Sequence, residues 1–177
     1  MDFASKNDIT ENEYFEMIKN KTAVLIGCSF MFGGIVAEAN DLNTNLLYQI
    51  GLNLGIAFQL EDDLLDCFGD QEKFGKKIGG DIIEKKKTLL YLFTNSKLES
   101  EKKLEFENIF NSNKIEDSKK INSIKSFYET SGALEYLKNK VRVYFNEAKM
   151  LIDKLELDND TKKKLNLFCK TLLNREI

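Results

Sequence analysis

The sequence of 177 residues contains no histidine, no proline and no tryptophan, and only three cysteines. Without histidine, the chain has no histidine base to offer a catalytic mechanism. Cys28, Cys67 and Cys169 are isolated from one another and form no CxxC pair, so there is little support for a zinc site or a disulfide. We expect three reduced thiols in a cytoplasmic protein.

Long apolar runs and a strong charge of one sign are also missing. No stretch reaches the roughly 20 apolar residues that a membrane span needs, and no signal peptide is visible. The net charge of −3 gives no electrostatic case for nucleic-acid binding. With 42% hydrophobic and 31% charged residues, the composition is typical of one soluble globular domain over residues 1–177, without an integral membrane segment.

Apolar residues recur at helical rather than strand spacing, which predicts an all-α helical bundle. A capping-box pattern at Thr10 and Glu13 predicts a first helix that continues to about Ala39. A second helix should follow the DLNTN connection and end near Phe68, because no proline interrupts its apolar pattern. The apolar positions of this second helix are Leu46, Leu47, Ile50, Leu54, Phe58, Leu64, Leu65 and Phe68.

The remaining sequence predicts five more helices. One should run from Asp81 or Ile82 to about Thr94. Four amphipathic helices should follow, with breaks at residues 111–113, at Gly132 and at residues 158–160. Glycine is costly inside a helix, so the glycines of the first two helices are expected to mark close helix–helix contact. These are Gly27, Gly33, Gly34, Gly51 and Gly55.

Three aspartates interrupt the apolar pattern of the second helix. Asp62 and Asp66 are four residues apart and share one face, while Asp63 lies about 100° round the axis. Carboxylates at this spacing repel each other, and a hard divalent cation would reverse that effect. Magnesium prefers carboxylate oxygens and often shares substrate phosphates. The alternative for a bare DDxxD pattern is a solvated acidic face.

The residues on either side of the aspartates favour the metal. Phe58 and Gln59 precede them, and the glycine-punctuated pattern GKxxGxDIxExKxT follows, with Lys76 and Lys86. Loop glycines permit close backbone approach to an anion, and lysine provides compact positive charge for phosphate. Acids for a metal and lysines for phosphate on one stretch indicate a metal–diphosphate site.

This stretch resembles the second aspartate-rich region of the trans-isoprenyl diphosphate synthases, the family of farnesyl, geranylgeranyl and longer polyprenyl diphosphate synthases. A second match lies upstream, where residues 14–34 resemble the family's helix with a Lys-Thr pair, here Lys21 and Thr22. The resemblance covers roughly the second half of a synthase. It implies the C-terminal part of an isoprenoid synthase fold, without the N-terminal helices.

The resemblance implies a magnesium-dependent, head-to-tail condensation of an allylic diphosphate with isopentenyl diphosphate. Released diphosphate is the family's base for the final proton, which suits a chain without histidine. Lys21 and Thr22, Gln59 and Lys76 are the implied catalytic residues. The full set of implied roles is as follows: metal ligands Asp62 (principal), Asp63 and Asp66; diphosphate contacts Lys21, Lys76 and Lys86; pocket lining Thr22 and Phe58; and stabilisation of the developing cation by Gln59.

The sequence also departs from the family. The first aspartate-rich motif and the N-terminal basic residues for isopentenyl diphosphate are absent, and so are the residues that set product length. Three hypotheses remain open: a prenyltransferase chain that is incomplete by itself, a non-catalytic accessory subunit that pairs with a complete synthase, and a terpene cyclase. The cyclase reading lacks the usual Asn/Ser/Glu metal motif. We expect a homodimer, or pairing with a missing N-terminal half.

Overall fold

The computed structural model of the chain describes residues 9–70 and 78–173. Every regular element in these ranges is a helix and none is a strand, which confirms the all-α prediction. None of the helices described there combines the length and the apolar character that crossing a membrane requires.

The first part of the chain forms α1 (Glu11–Ile18), a π-helical turn (Lys19–Ala23), α2 (Val24–Val36) and α3 (Asp41–Phe68). The capping box at the start of α1 is present: the Thr10 amide donates to Glu13 Oε2 at 2.9 Å, and the Glu13 amide donates to Thr10 Oγ1 at 3.2 Å. The π-helical turn was not expected. Its i→i+5 bonding inserts an extra residue into the predicted first helix.

The second part contains a four-residue helix and five longer ones. They are α4 (Gly80–Ile83), α5 (Leu89–Lys97), α6 (Ser100–Asn111), α7 (Asp117–Thr130), α8 (Ala133–Lys154) and α9 (Asn159–Leu173). The four amphipathic helices predicted after Lys97 are therefore confirmed as α6 to α9.

The prediction of one helix from Asp81 or Ile82 to about Thr94 is wrong. The chain leaves helical geometry after Ile83, where Lys85 adopts a positive φ of 57° and the Lys86 amide donates to the Asp81 carbonyl at 2.8 Å. Thr88 is extended, with a ψ of 175°, and α5 begins at the next residue. Apolar periodicity alone does not reveal this turn, because the residues on both of its sides are buried.

Contacts between Cα atoms divide the chain into two compact units. Of the described residues, unit 1 holds 9–14, 62–70 and 78–139, and unit 2 holds 15–61 and 140–173. The division falls within the continuous helices α1, α3 and α8. One domain over residues 1–177 stays a prediction.

Unit 1 is built around aromatic side chains. Phe106 and Phe110 of α6 are fully buried, and the ring of Tyr91 in α5 lies 4.4 Å from that of Phe110. Phe127 of α7 meets Phe106 edge-on at 5.4 Å. Tilted and edge-on aromatic pairs add specific geometry to the apolar area that they bury. This core fixes α5, α6 and α7 around one another.

Unit 2 has an aliphatic core formed by α3, α8 and α9. Small residues bring α2 very close to α3: a Cβ placed at Gly51 would lie 2.7 Å from Gly27 Cα, and one at Gly55 would lie 2.5 Å from Ala23 Cα. The close-contact expectation is thus confirmed for Gly27, Gly34, Gly51 and Gly55, but it is wrong for Gly33, which faces open space. The core residues are Ile50, Leu54, Ala57, Ala148, Ile152, Leu155 and Cys169.

Gly55→Ala is expected to destabilise the chain by about 1–3 kcal/mol, because the new methyl group would overpack the backbone contact with Ala23. The measurement is urea unfolding of the two proteins. Their free energies of unfolding are compared with the same m value, which is the dependence of that free energy on urea concentration. Gly33→Ala is the matched control, since that methyl group meets no atom within 4 Å and alanine is the better helix former by roughly 0.5–1 kcal/mol. Equal losses in both variants would contradict the packing account.

The three thiols are expected to differ in reactivity. Cys67 and Cys169 are buried, and burial raises the pKa of Cys169 to about 11 and that of Cys67 further still. Thiolate is the reactive form, so both should resist alkylation by iodoacetamide at pH 8 until the chain unfolds. Cys28 is half-buried on α2 and should react first in peptide mass mapping. Uniform labelling of all three in the folded chain would be inconsistent with this burial.

Candidate functional site

The acidic motif lies in the last two turns of α3 and belongs to unit 1. Asp62 and Asp66 are half-buried, whereas Asp63 is only 6% exposed. Asp62 and Asp66 are one helical turn apart on one face, as the spacing predicts. The three carboxylates therefore differ in environment, and each has its own set of contacts.

Asp63 is held by a buried tyrosine. The Tyr14 hydroxyl donates to Asp63 Oδ2 at 2.6 Å, and Tyr14 is 1% exposed. Burial and then the negative charge of Asp63 raise the pKa of Tyr14 well above its ordinary value, so the phenol stays protonated and keeps donating. One oxygen of Asp63 is thus committed to the fold of unit 1.

Sequence reasoning did not find Tyr14. The residue lies on the apolar side of α1 near Ile18, and an aromatic residue at such a position indicates core packing. Nothing in the local pattern shows that its hydroxyl meets a carboxylate 49 residues away.

Asp66 organises the segment from Gly79 to Asp81, at the end of the glycine-rich loop. Its Oδ2 accepts a hydrogen bond from the Asp81 amide at 2.9 Å, and its carbonyl accepts one from the Gly79 amide at 2.6 Å. Burial raises the pKa of Asp66, and the bond from the Asp81 amide partly offsets that rise. Gly79 has a φ of 84°, and a Cβ there would lie within 2.6 Å of Ile121, so this position requires glycine.

Lys86 is held by two acids of the same segment. Its Nζ lies 2.8 Å from Asp81 Oδ1 and 2.8 Å from Glu84 Oε2. Hydrogen bonds from the ammonium group to Asp81 and Glu84 raise the pKa of Lys86, so it is charged throughout the physiological range. Asp81 therefore connects Asp66, through its amide, with Lys86, through its carboxylate. The sequence pattern includes Asp81, but sequence reasoning gave it no role.

The lysine–threonine pair (Lys21 and Thr22) and the phenylalanine–glutamine pair (Phe58 and Gln59, called the FQ pair below) belong to unit 2. Lys21 and Thr22 lie in the π-helical turn, and Lys21 is exposed. The Thr22 hydroxyl donates to the side-chain carbonyl Oε1 of Gln59 at 2.9 Å, which fixes the orientation of that amide. Phe58 is half-buried and packs against the core of unit 2. Lys76 lies outside the described residues.

The carboxylates of α3 have the right chemistry for magnesium but do not form a complete cage. Oxygen ligands suit Mg²⁺, which usually keeps several waters and shares phosphate oxygens. Over residues 9–70 and 78–173, no group of three or more His, Cys, Asp or Glu side chains is arranged to hold a metal ion. Asp63 and Asp66 each use one oxygen within the protein. This donor set fits an ion that takes most of its ligands from water and a bound diphosphate.

Comparison with known proteins places the chain in a family. The polyprenyl synthetase family profile matches residues 1–129. The chain is 50% identical over 105 residues to a geranylgeranyl diphosphate synthase of Saccharolobus solfataricus, a match that covers 59% of this chain and 32% of that protein. The chain spans about half the length, or less, of the curated relatives it matches.

Solved structures give the same result for the fold. A crystal structure of a geranylgeranyl pyrophosphate synthase matches 99% of this chain and 55% of its own, with a TM-score of 0.91 and 38% identity. A polyprenyl synthase from Caulobacter crescentus CB15, complexed with calcium and isoprenyl diphosphate, matches 99% of this chain and 53% of its own, with a TM-score of 0.87 and 27% identity. By sequence and by fold, this chain belongs to the polyprenyl synthetase family.

Proposed function

We propose that this chain is the C-terminal half of a trans-prenyltransferase that joins an allylic diphosphate to isopentenyl diphosphate head to tail. The observation that carries the proposal is the link from the acidic motif on α3, through Asp81, to Lys86. Acids suited to a divalent cation and a lysine suited to phosphate are thereby held together within unit 1. The calcium and isoprenyl diphosphate bound by the Caulobacter relative support the same ligand chemistry.

Magnesium is the proposed metal, with Asp62 as its principal ligand and Asp63 and Asp66 as direct or water-bridged partners. The bound ion would neutralise the charge that develops on the departing diphosphate. The Tyr14 hydroxyl donates to Asp63 and the Asp81 amide donates to Asp66, which fixes the orientation of both carboxyl groups. Held in this way, the motif loses less conformational entropy when it binds an ion than three mobile side chains would.

The lysines have the complementary task of holding diphosphate. Lys86 stays charged and is kept in place by Asp81 and Glu84, and Lys21 and Lys76 are proposed to act with it. Glu84 is exposed, so its contact with Lys86 can exchange for a phosphate oxygen at little cost, since exposed ion pairs contribute little.

The FQ pair and Thr22 are proposed to line the side where the allylic cation forms. The carbonyl of Gln59 carries a partial negative charge, and the hydrogen bond from Thr22 keeps that group in one orientation. A fixed dipole stabilises developing positive charge better than one that must reorient. A π-helical turn at Lys21 and Thr22 agrees with the frequent occurrence of such turns at functional sites.

Catalysis by this proposal needs a complementary half of the fold. The chain spans about half of its relatives, and its sequence holds one aspartate-rich motif where the family pattern has two. The same observation favours a second candidate function, a non-catalytic subunit that keeps one half-site and pairs with a complete synthase. We also propose a cytoplasmic location and a dimeric assembly.

Residues 1–177 alone should give no product from an allylic diphosphate, isopentenyl diphosphate and magnesium. In an enzyme completed with the complementary half, Asp62→Ala should lower the rate by at least roughly 100-fold, because transition-state charge loses its main counter-ion. Product formation is followed by incorporation of radiolabelled isopentenyl diphosphate. The control is Asp160→Ala, which removes only an exposed ion pair with Lys164. A near-normal rate for Asp62→Ala would refute its assigned role.

Tyr14→Phe should cost about 1.5–3 kcal/mol of the free energy of unfolding, because the buried Asp63 loses a charge-assisted hydrogen bond. It should also weaken the binding of magnesium with inorganic pyrophosphate, measured by calorimetry. Tyr136→Phe is the matched control: its hydroxyl donates to Glu11 Oε1 at 2.7 Å in a half-buried contact of the same unit. If both variants weaken pyrophosphate binding alike, Tyr14 has no specific role in orienting Asp63.

A further inference from the structure

Helix α2 is apolar all round, yet one of its sides is open. No charged residue occurs from Thr22 to Ala37. Gly27 and Gly34 lie on the side that packs on α3, against Tyr48 and Leu47. The opposite side presents an exposed stripe of large apolar residues, which we call the α2 stripe: Leu25 (71% exposed), Phe32 (59%), Ile35 (53%) and Val36 (84%).

The α2 stripe adjoins an apolar groove in the same unit. The groove has a volume of about 470 Å³ and is lined by residues of α2, α3 and α9, among them Phe30, Gly33 and Phe168. Phe168 is itself 50% exposed, and its ring lies 6.3 Å from that of Phe30. The stripe and the groove together form one continuous apolar surface. Single exposed apolar residues are common on soluble proteins, but a continuous apolar surface marks an interaction site.

We propose that the α2 stripe and its groove are the surface that binds the complementary half of the synthase fold; this rests on the function proposed above. A helix that is apolar on every side belongs in a protein interior. The matched geranylgeranyl pyrophosphate synthase has 55% of its chain in the match, so just under half of its polypeptide lies outside the part that corresponds to this chain. The α2 stripe is an open apolar surface suited to a partner of that size.

The charges around the stripe agree with a protein occupant rather than a lipid surface. Helices that bind membranes in the interfacial plane carry lysine or arginine along their polar side. Here the residues that flank the uncharged stretch are Lys21 on one side and Glu38 and Asp41 on the other. With no basic row, the α2 stripe lacks the attraction to anionic lipid that such helices use. An apolar helix of the complementary half would cover the α2 stripe by apolar contact alone, and it would need no charged partner on α2.

The test measures association rather than activity. The part of the matched geranylgeranyl pyrophosphate synthase outside the match is produced as a separate polypeptide and titrated against residues 1–177 by analytical ultracentrifugation. Phe32→Glu and Val36→Glu should each weaken pairing at least roughly tenfold. Leu104→Glu, at a position 61% exposed on α6, is the control and should change pairing by less than about twofold. All three side chains are exposed, so unchanged thermal midpoints will show that the variants still fold.

If the separate polypeptide does not fold, the same part is fused ahead of Met1 and Cys28 becomes the reporter. Cys28 lies on the open side of α2, one turn from Phe32. Its alkylation should slow at least roughly tenfold in the fusion, and Val36→Glu should restore the fast rate.

Three results would overturn the proposal. The first is that Phe32→Glu and Val36→Glu leave the pairing affinity unchanged, or that Val36→Glu leaves the protection of Cys28 from alkylation unchanged. The second is self-association of residues 1–177 that is lost in Val36→Glu, which would assign the stripe to a second copy of the chain. The third is stripe-dependent binding to phosphatidylcholine–phosphatidylglycerol vesicles. Pairing through the stripe without magnesium-dependent activity would instead contradict the proposed function and leave this interface standing.

Discussion

The site depends on one hydrogen bond, from the Asp81 amide to the carboxylate of Asp66. It joins the end of α3 to the segment that carries Lys86, and so brings together two parts of the sequence that are 15 residues apart. The bond is half-buried, and the carboxylate that accepts it is partly desolvated. Breaking it would leave a partly buried charge without its partner, which is more costly than the bond's net contribution when formed. Because breaking this bond is so costly, Asp66 and the segment with Lys86 are held in a single relative position.

Periodicity predicted most of the long helices, because most of them bury one apolar side. It also placed Asp62 and Asp66 on a common face. The cost of glycine inside a helix pointed to five glycines at close contacts, and four of them do make such contacts. Periodicity missed the break between α4 and α5, since buried apolar residues on both sides of a turn, here Ile82 and Leu89, have the same pattern as a continuous helix. The bonds from Tyr14 to Asp63 and from Thr22 to Gln59 join residues 49 and 37 positions apart. Contacts of that separation are set by packing, and a single sequence does not show them.

The two units divide the chemistry as well as the chain. Unit 1 holds the acids and Lys86, whereas unit 2 holds Thr22, Gln59 and an aliphatic core. The charged groups thus belong to the unit with an aromatic core, and the amide and hydroxyl groups belong to the unit in which small residues bring two helices close together. The chain as a whole belongs to the polyprenyl synthetase family, and the function proposed above uses side chains from both units.

The π-helical turn at Lys19–Ala23 has a consequence for how this helix can vary. One additional residue rotates every later side chain by about 100° relative to an unbroken α-helix. Rewinding these residues into an ordinary α-helix without changing their number would turn Gly27 and Gly34 away from α3, whereas deleting one residue at the same time would leave both glycines facing it. The turn therefore absorbs one residue of chain length without moving the contact between α2 and α3, and the loss of one residue is better accommodated here than in the α-helical turns around it.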